Sequence, residues 1–431
     1  MLAGLARGET RLGPLQGLPA ALLAKRPPRH DVAAALAFAE SLGCEVRVES
    51  TSEGASITIS GRGGRPEQGA FERPTTIEVG ESATLGRFAL AVCALVPGAG
   101  RRLRLHPRGT LRTRRSPGLV RTLEQAGAGV EFDTGCSWPI TVDPAGEVRS
   151  LRLVDPVSSQ ELSSLWIAAA ATGRRVEVHV EGDVPSAPYL TLTKDVLIRF
   201  GARLARAEGS GPHDCVVEGP LTAPGEALRI EPDASAAAVA LAAGCLSRGS
   251  VTVAGLDADS RQGDVRILEH LAAFGCNVES GQGVLTAHGF PTRPARLDLV
   301  GEPDLAPVLA VVGAAVALAD PGADSTVLTG LRTLSGKESD RVAVLADLLR
   351  ASGIDVNADT DRLEIAGCAA VADGRPPSEL LFDPRGDHRM AFAGALLGLV
   401  RPGVRISDAR CVAKSWPDFF TAIRECSGAD A

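Results

Sequence analysis

The sequence predicts an α/β fold with two similar domains, and two observations support this. A block of helix and strand recurs along the chain, and 431 residues are too many for a single compact core of ordinary size. The composition, with 45% hydrophobic and 23% charged residues, is typical of a globular protein. We expect the domains to span residues 1–230 and 231–431.

The first repeated element is an amphipathic helix that ends at a glycine and continues into a strand. DVAAALAFAESLGCEVRV and RVAVLADLLRASGIDVNA are two of its five copies. The terminating glycines are Gly43, Gly127, Gly201, Gly275 and Gly353. Their spacing of roughly 75 to 85 residues is longer than a solenoid repeat, so each copy belongs to a larger block.

The second repeated element is a polar loop, an alanine-rich helix and a strand, and its five copies alternate with those of the first. The opening LAGLARGETRLGPL looks like the end of a sixth copy. This alternation predicts six βαβαββ-like units, three in each domain. The longest apolar run, Leu305 to Ala319, is too short to span a bilayer, and we interpret it as a buried helix.

Charge and cysteine content exclude several classes of protein. A net charge of −7 argues against a general nucleic-acid surface. The nine cysteines form neither C-x-x-C motifs nor mixed Cys/His clusters, so we expect no metal site. An odd cysteine count without a secretory leader indicates a reducing cytoplasm.

Several polar loops lie directly before helices, where backbone N–H groups and the helix dipole attract anions. We interpret Asp155 and Asp383, each followed by proline, as ordinary N-caps. The SSQ sequence at 158–160 exceeds what one cap needs. Arg389 lies where a cation weakens the dipole of the following helix, which makes it a functional candidate.

Two further basic motifs precede helices. SGKESDR contains Lys337 and Arg341, and AKSWPDFF contains Lys414. Either motif alone could be solvated surface charge. Together with Arg389, they predict a shared anionic ligand.

The motifs KESDR, DHRMAF, KSWPDFF, SSQ, SAPY, PDASAA and QGD occur here in the order found in the EPSP synthases. The chain resembles this branch of the enolpyruvyl transferase family over nearly its whole length. A related subfamily acting on UDP-N-acetylglucosamine normally has a cysteine in the loop that reads TLRTRRSPGLV here, and its absence disfavours that branch.

The resemblance implies two domains, each an inside-out α/β barrel of three βαβαββ units with pseudo-threefold symmetry, and a ligand cleft between them. It implies transfer of the carboxyvinyl group of phosphoenolpyruvate (PEP) to a hydroxyl of shikimate 3-phosphate or a closely related cyclic acid, with release of phosphate. We expect a cytoplasmic enzyme of aromatic amino acid biosynthesis, monomeric or homo-oligomeric. Its expected partners are small anions, with no metal, cofactor, nucleic acid or membrane.

The resemblance also assigns site residues. The substrate phosphate and ring would be bound by Ser158, Ser159, Gln160, Ser186 and Tyr189. PEP would be bound by Arg87, Arg114, Arg341, Arg389 and Lys414. Asp304 or Glu338 would be the base, and Lys337 or Glu338 would be the acid that protonates the PEP methylene carbon.

The chain departs from the family pattern near its beginning. It starts inside the helix that follows the family's Lys-Ser…Arg motif, so we expect those three residues to be absent. Lys25 and Arg26 lie beyond the first strand and do not replace them. The family's N-terminal strands also complete the last unit, so the sequence predicts an uncovered edge there.

The PEP loop departs as well, because the family's Asn-x-Gly-Thr reads Glu81, Ser82, Ala83 and Thr84. A carboxylate should repel PEP and a methyl group should narrow the pocket, so both changes predict weaker binding. Arg115 also stands where the family has proline.

These departures leave two alternatives to PEP transfer. One is elimination of water or phosphate from a shikimate-type substrate without PEP. The other is a binding or regulatory pseudoenzyme, which the many retained cationic residues argue against.

Overall fold

The computed structural model describes residues 1–15, 20–25, 30–52, 54–63, 75–96, 102–135, 137–206, 211–368 and 379–427. Arg26 lies outside these residues. The chain divides into two compact units, Met1–Ile230 and Glu231–Ala431, which we call unit 1 and unit 2.

Unit 1 contains seven described helices and eleven described strands. The helices are α1 Leu2–Leu5, α2 Ala20–Ala24, α3 Asp31–Ser41, α4 Ala83–Leu95, α5 Pro117–Gln125, α6 Ser159–Ala171 and α7 Pro188–Arg199. The strands are β1 Arg7–Leu15, β2 Glu45–Thr51, β3 Gly54–Arg62, β4 Thr75–Gly80, β5 Leu103–Pro107, β6 Gly129–Thr134, β7 Ser137–Asp143, β8 Ser150–Val154, β9 Arg175–Glu181, β10 Arg203–Ala205 and β11 Cys215–Glu218. A 3₁₀ helix spans Gly109–Thr113.

Unit 2 follows the same alternation. Its described helices are α8 Ala234–Leu246, α9 Ile267–Ala273, α10 Ala306–Ala319, α11 Arg341–Ala351, α12 His388–Val400 and α13 Phe419–Ser427. Its strands are β12 Ser250–Ala254, β13 Asn277–Gly281, β14 Val284–His288, β15 Arg296–Asp298, β16 Thr326–Thr329, β17 Ile354–Ala358, β18 Arg362–Cys368, β19 Leu380–Phe382 and β20 Val404–Ile406. Its 3₁₀ helices are Gly263–Arg266, Pro303–Leu305, Arg332–Gly336 and Ala409–Lys414.

Three stretches of the chain show the predicted βαβαββ unit complete, with the same sheet topology. Their sheets have the strand orders β4-β5-β7-β6, β8-β9-β11-β10 and β15-β16-β18-β17. In each, a helix joins two parallel strands, and a second helix leads into an antiparallel hairpin. The remaining described strands form the sheets β1-β3-β2, β12-β14-β13 and β19-β20.

The alanine-rich helices form the centre of each unit. In unit 2, α8, α10 and α12 pack against one another, and in unit 1, α4 packs against α6. Helix α10 is buried from Ala306 to Ala317, which confirms the interpretation of its apolar run. The strands alternate between buried and more exposed residues, as in β5, so the sheets lie outside the helices. This is the inside-out α/β arrangement that the sequence predicted.

The five predicted glycine stops end or follow their helices as expected. All five have a left-handed φ, between +81° at Gly43 and Gly201 and +93° at Gly127. A side chain at these positions would strain the turn from helix into strand. No described helix is long and apolar enough to cross a membrane.

Candidate active site

Four helix beginnings in unit 2 carry the polar side chains of the site. Asp233, Asp340 and Asp387 are the N-caps of α8, α11 and α12, and each accepts a backbone N–H of its own first turn. Asp304 lies in the 3₁₀ turn that leads into α10. The first N–H groups of a helix lack backbone partners, and acidic side chains satisfy them here, so charged residues lie at the N-termini of these helices.

These beginnings bring seven charged residues into one group, which we call the Arg341 cluster. Its members are Asp304, Lys337, Glu338, Arg341, Asp387, Arg389 and Lys414.

 All six site residues that the sequence predicts in unit 2 belong to this cluster. Asp387 is the one member that was not predicted.

Arg341 lies at the centre of the cluster and is almost fully buried, with 2% of its side chain exposed. Its Nε donates to Asp387 Oδ2 at 2.8 Å, and its Nη1 donates to Asp304 Oδ1 at 2.8 Å. Its Nη2 donates to Glu338 Oε2 at 2.7 Å. Burial alone would lower the pKa of Arg341, but the three carboxylates outweigh burial and raise it, so the guanidinium stays charged.

The other three cations surround the same carboxylates. Lys337 Nζ lies 3.2 Å from Asp304 Oδ1, and Lys414 Nζ lies 2.5 Å from Glu338 Oε1. Arg389 donates to the backbone oxygen of Asp304 at 3.1 Å. The structure therefore brings the three basic motifs together, as the shared-ligand hypothesis requires.

The cations of the cluster keep Asp304 and Asp387 ionised. Burial would raise the pKa of Asp304, but Lys337, Arg389 and Arg341 hold it well below its usual range. Burial also opposes ionisation of Asp387, and Arg341 again lowers its pKa. His388 differs, because burial lowers its pKa to about 3 and leaves the imidazole neutral near pH 7.

Unit 1 contains a second polar network, around Arg87 of α4. This buried side chain donates from Nε to Ser116 Oγ at 2.8 Å and from Nη1 to Gln160 Oε1 at 2.5 Å. Glu161, the next residue of α6, is fully buried, and its Oε2 accepts the Val157 N–H at 3.1 Å. Burial raises the pKa of Glu161, although Arg87 and Ser116 oppose the shift.

The two serine loops of unit 1 are hydrogen-bonded to each other. Ser158 is the N-cap of α6, and the backbone N–H of Ser159 donates to Pro185 O at 3.2 Å, beside Ser186. Ser186 has a φ of +55°, and its backbone oxygen accepts the Tyr189 N–H at 3.2 Å. A left-handed serine is uncommon, so this turn is held by its surroundings.

Arg114 and Glu81 lie in two further loops of unit 1, after the 3₁₀ helix Gly109–Thr113 and before α4. Arg114 follows the 3₁₀ helix Gly109–Thr113 and is half-buried. Glu81 packs its carboxylate against Gly109, where an added Cβ would lie 2.5 Å from the Glu81 carboxyl carbon. Ser82 caps α4, and Ala83 is its buried first residue.

Comparison with known proteins identifies the family. The family model described as EPSP synthase (3-phosphoshikimate 1-carboxyvinyltransferase) matches residues 1–423. A similar 3-phosphoshikimate 1-carboxyvinyltransferase from Ralstonia nicotianae is 32% identical, over 98% of this chain and 92% of the relative. The chain belongs to the EPSP synthase family. Another relative of the same name, from Methanoculleus marisnigri, is 34% identical over 71% of this chain and 69% of its own length.

Solved structures of EPSP synthases and related transferases show the same fold. An EPSP synthase from Acinetobacter baumannii has a TM-score of 0.69 at 21% identity, covering 99% of this chain and 92% of that one. The enolpyruvyl transferase NikO from Streptomyces tendae has a TM-score of 0.66 at 18% identity, covering 100% of this chain and 91% of its own. The family is one of transferases, and the predicted fold class is confirmed.

The capping interpretation of Asp155 and Asp383 is wrong. Helix α6 is capped by Ser158 and α12 by Asp387, three and four residues further along. Asp155 instead has a φ of +47°, and Asp383 accepts the Arg385 N–H at 2.8 Å in a turn. The proline after each aspartate drew the prediction to the wrong residue.

Sequence reasoning missed several residues that contact the predicted site residues. Asp387 and Ser235 belong to motifs quoted for the family, DHR and PDASAA, but received no role. Glu161 forms the sequence pattern S-x-x-E with Ser158, which is a capping-box signal. Closer attention to acids and hydroxyls beside the predicted cations could have found all three.

Proposed function

We propose that this EPSP synthase family member transfers the carboxyvinyl group of PEP to a hydroxyl of shikimate 3-phosphate and releases phosphate. The observation that carries the proposal is the Arg341 cluster, in which four cations meet three carboxylates, one of which, Asp304, is suited to act as the base. The names of the relatives supply the substrates. We further propose that units 1 and 2 are the two enolpyruvyl-transferase-like domains.

PEP carries a carboxylate and a phosphate, and both match guanidinium and ammonium groups. In this proposal Arg341, Arg389 and Lys414 bind PEP, and the family resemblance implies the same role for Arg87 and Arg114. Each cation of the cluster already has a carboxylate partner in the structure. When PEP binds, its carboxylate and phosphate therefore replace protein carboxylates as partners of these cations. Before PEP binds, the protein carboxylates hold the cations in position.

The shikimate 3-phosphate side of the proposal rests on unit 1. The hydroxyls of Ser158, Ser159 and Ser186 would hold the phosphate, and the bond between Ser159 N–H and Pro185 O keeps their two loops together. Gln160 and Tyr189 would contact the ring. Gln160 is fixed in turn by Arg87.

The chemistry needs a base at the ring hydroxyl and an acid at the PEP methylene carbon. The base removes the hydroxyl proton, the oxygen bonds to the central carbon of PEP, and the acid protonates the methylene carbon. Loss of a proton from the new methyl group and of phosphate then restores the double bond. Proton and phosphate are both accounted for in these two steps.

We assign the base to Asp304 and the acid to Lys337. Asp304 is ionised, and Lys337 Nζ lies 3.2 Å from it. Both oxygens of Glu338 accept from cations, Oε1 from Lys414 and Oε2 from Arg341, which suits Glu338 to hold these two cations in place. PEP that attracts Arg341 and Arg389 would also weaken their hold on Asp304 and make it a stronger base.

One experiment separates the proposal from its alternatives. Shikimate 3-phosphate is incubated with the protein with and without PEP, and phosphorus and proton NMR follow phosphate and ring products. We expect phosphate release that requires PEP and is lost in Asp304→Asn. A new ring product without PEP would instead indicate elimination, and ligand binding without any product would indicate a pseudoenzyme.

A further inference from the structure

The QGD motif, residues 262–264, lies against the beginning of α8 in unit 2. The Gln262 side chain accepts the Ala234 N–H at 2.9 Å and donates to Pro232 O at 2.8 Å. These two bonds hold the turn that carries Ser235, the second residue of α8. Asp233, the N-cap, fixes the same turn by accepting the Ser235 N–H at 2.8 Å.

Ser235 joins this turn to Arg389. Arg389 Nη2 donates to Ser235 Oγ at 3.0 Å, and the Ser235 hydroxyl donates to Asp264 Oδ2. The serine thus accepts from the cation and donates to the acid, so that Asp264 sets the direction of its lone pairs. Asp264 is buried, with 1% exposed, and its Oδ2 is 3.9 Å from Arg389 Nη1.

We propose that Asp264 is a positioning residue, which acts through Ser235 to hold the Arg389 guanidinium in the orientation that binds PEP. This rests on the proposed function for the identity of the anion. Asp264 takes no part in proton transfer in this proposal. Asp264 affects the affinity for the anion, because an Arg389 guanidinium in the wrong orientation cannot form well-aligned hydrogen bonds to it.

The simplest competing explanation predicts the opposite change in PEP affinity when Asp264 is removed. If Asp264 acted only as a negative charge near Arg389, its removal would make the cluster more attractive to PEP. The hydrogen-bonded chain from Asp264 through Ser235 to Arg389, which we call the relay, instead predicts that removal of Asp264 weakens PEP binding. The two readings can therefore be separated by one affinity measurement.

The test is calorimetric titration of PEP into the protein, with and without shikimate 3-phosphate. We expect Asp264→Ala and Ser235→Ala each to raise Kd by about tenfold, the size of one hydrogen bond. The double variant should be no weaker than Ser235→Ala alone, because both act on one relay. Asp264→Asn, whose amide oxygen can still accept from Ser235, should stay close to wild type and guards against loss of folding.

Asp259→Asn is the matched control, because Asp259 is exposed and lies five residues earlier on the same segment. It should not change Kd. Tighter binding in Asp264→Ala, additive effects of the two alanines, or no PEP binding by the wild type would overturn the inference. PEP binding without turnover would overturn the proposed function alone and leave the relay standing.

Discussion

Arg341 and Asp387 form a buried, two-pronged ion pair in unit 2. Arg341 Nε and Nη2 donate to the two oxygens of Asp387 at 2.8 and 3.2 Å, and Asp387 has no exposed surface. Asp387 also caps α12 by accepting the Arg389 N–H, so one carboxylate fixes two candidate PEP ligands. Structure and binding are therefore linked through a residue that would not itself touch the substrate.

We expect Asp387→Ala to destabilise the protein by about 3–5 kcal/mol, because it leaves Arg341 buried without this partner and removes a helix cap. Urea unfolding measures the change. Asp347→Ala is the matched control, since the Asp347–Arg385 pair is exposed on both sides and should change stability by less than about 1 kcal/mol. Equal effects of the two variants would contradict the assignment.

Stability should fall in mild acid because of His388. Its folded pKa of about 3 lies below the unfolded value of 6.5, so the unfolded chain takes up a proton first as the pH falls. This contribution is complete above pH 6.5 and is lost towards pH 3. Between pH 6 and 4, wild type should lose about 1.4 kcal/mol per pH unit more than His388→Asn, whose side chain does not titrate.

Urea unfolding at several pH values checks this. The comparison with His388→Asn matters because Glu338, Asp387, Lys414 and Arg389 surround the imidazole. Their charges are present in both proteins, so the difference isolates the histidine. Parallel stability curves would show that His388 is protonated in the folded protein.

The repeat was predictable from sequence because each of its parts has a local cause. A glycine with positive φ ends each helix of the first type, as at Gly275, and apolar runs such as that of α10 can only be buried. Side-chain partners have no such local signal. The Arg341–Asp387 bond joins residues 46 positions apart, and the Arg389–Ser235 bond joins residues 154 apart.

The sequence therefore predicted the cations that the structure brings together in unit 2, but not which acids and hydroxyls hold them, and the role of these cations stays a prediction. Basic residues before helices stand out because they oppose the helix dipole, as Arg389 does. An acid in the same place is typical of an ordinary N-cap, so nothing in the sequence indicates that Asp387 also binds Arg341. Glu161 was hidden in the same way by its position three residues after Ser158.

Lys337→Met and Glu338→Gln should affect turnover differently. If Lys337 is the acid, its loss should lower kcat by about 10²–10⁴ with a smaller change in PEP affinity. Glu338→Gln should mainly raise KM for PEP, because it loosens Arg341 and Lys414. Steady-state kinetics separates the two, and Arg332→Met, exposed on the preceding 3₁₀ helix, is the control. The reverse pattern would make Glu338 the acid.

Arg87→Lys should weaken the unit 1 site although it keeps the charge. An ammonium cannot reproduce the fork that reaches both Ser116 and Gln160. We expect kcat/KM to fall by about tenfold to a hundredfold, the loss of one or two charged hydrogen bonds. Arg121→Lys on exposed α5 surface should leave it unchanged. Wild-type kinetics in Arg87→Lys would show that Arg87 supplies only charge.

Glu81→Asn should strengthen PEP binding. Glu81 packs against Gly109, the first residue of the 3₁₀ helix that leads to Arg114, and Arg114 is a proposed PEP ligand. Asparagine removes the charge and is one methylene shorter than glutamate, and we expect KM for PEP to fall by about two- to tenfold, as one partly screened charge allows. Glu124→Gln, an exposed change on α5, controls for net charge. An unchanged or higher KM in Glu81→Asn would mean that the carboxylate helps to place Arg114 rather than opposing the ligand.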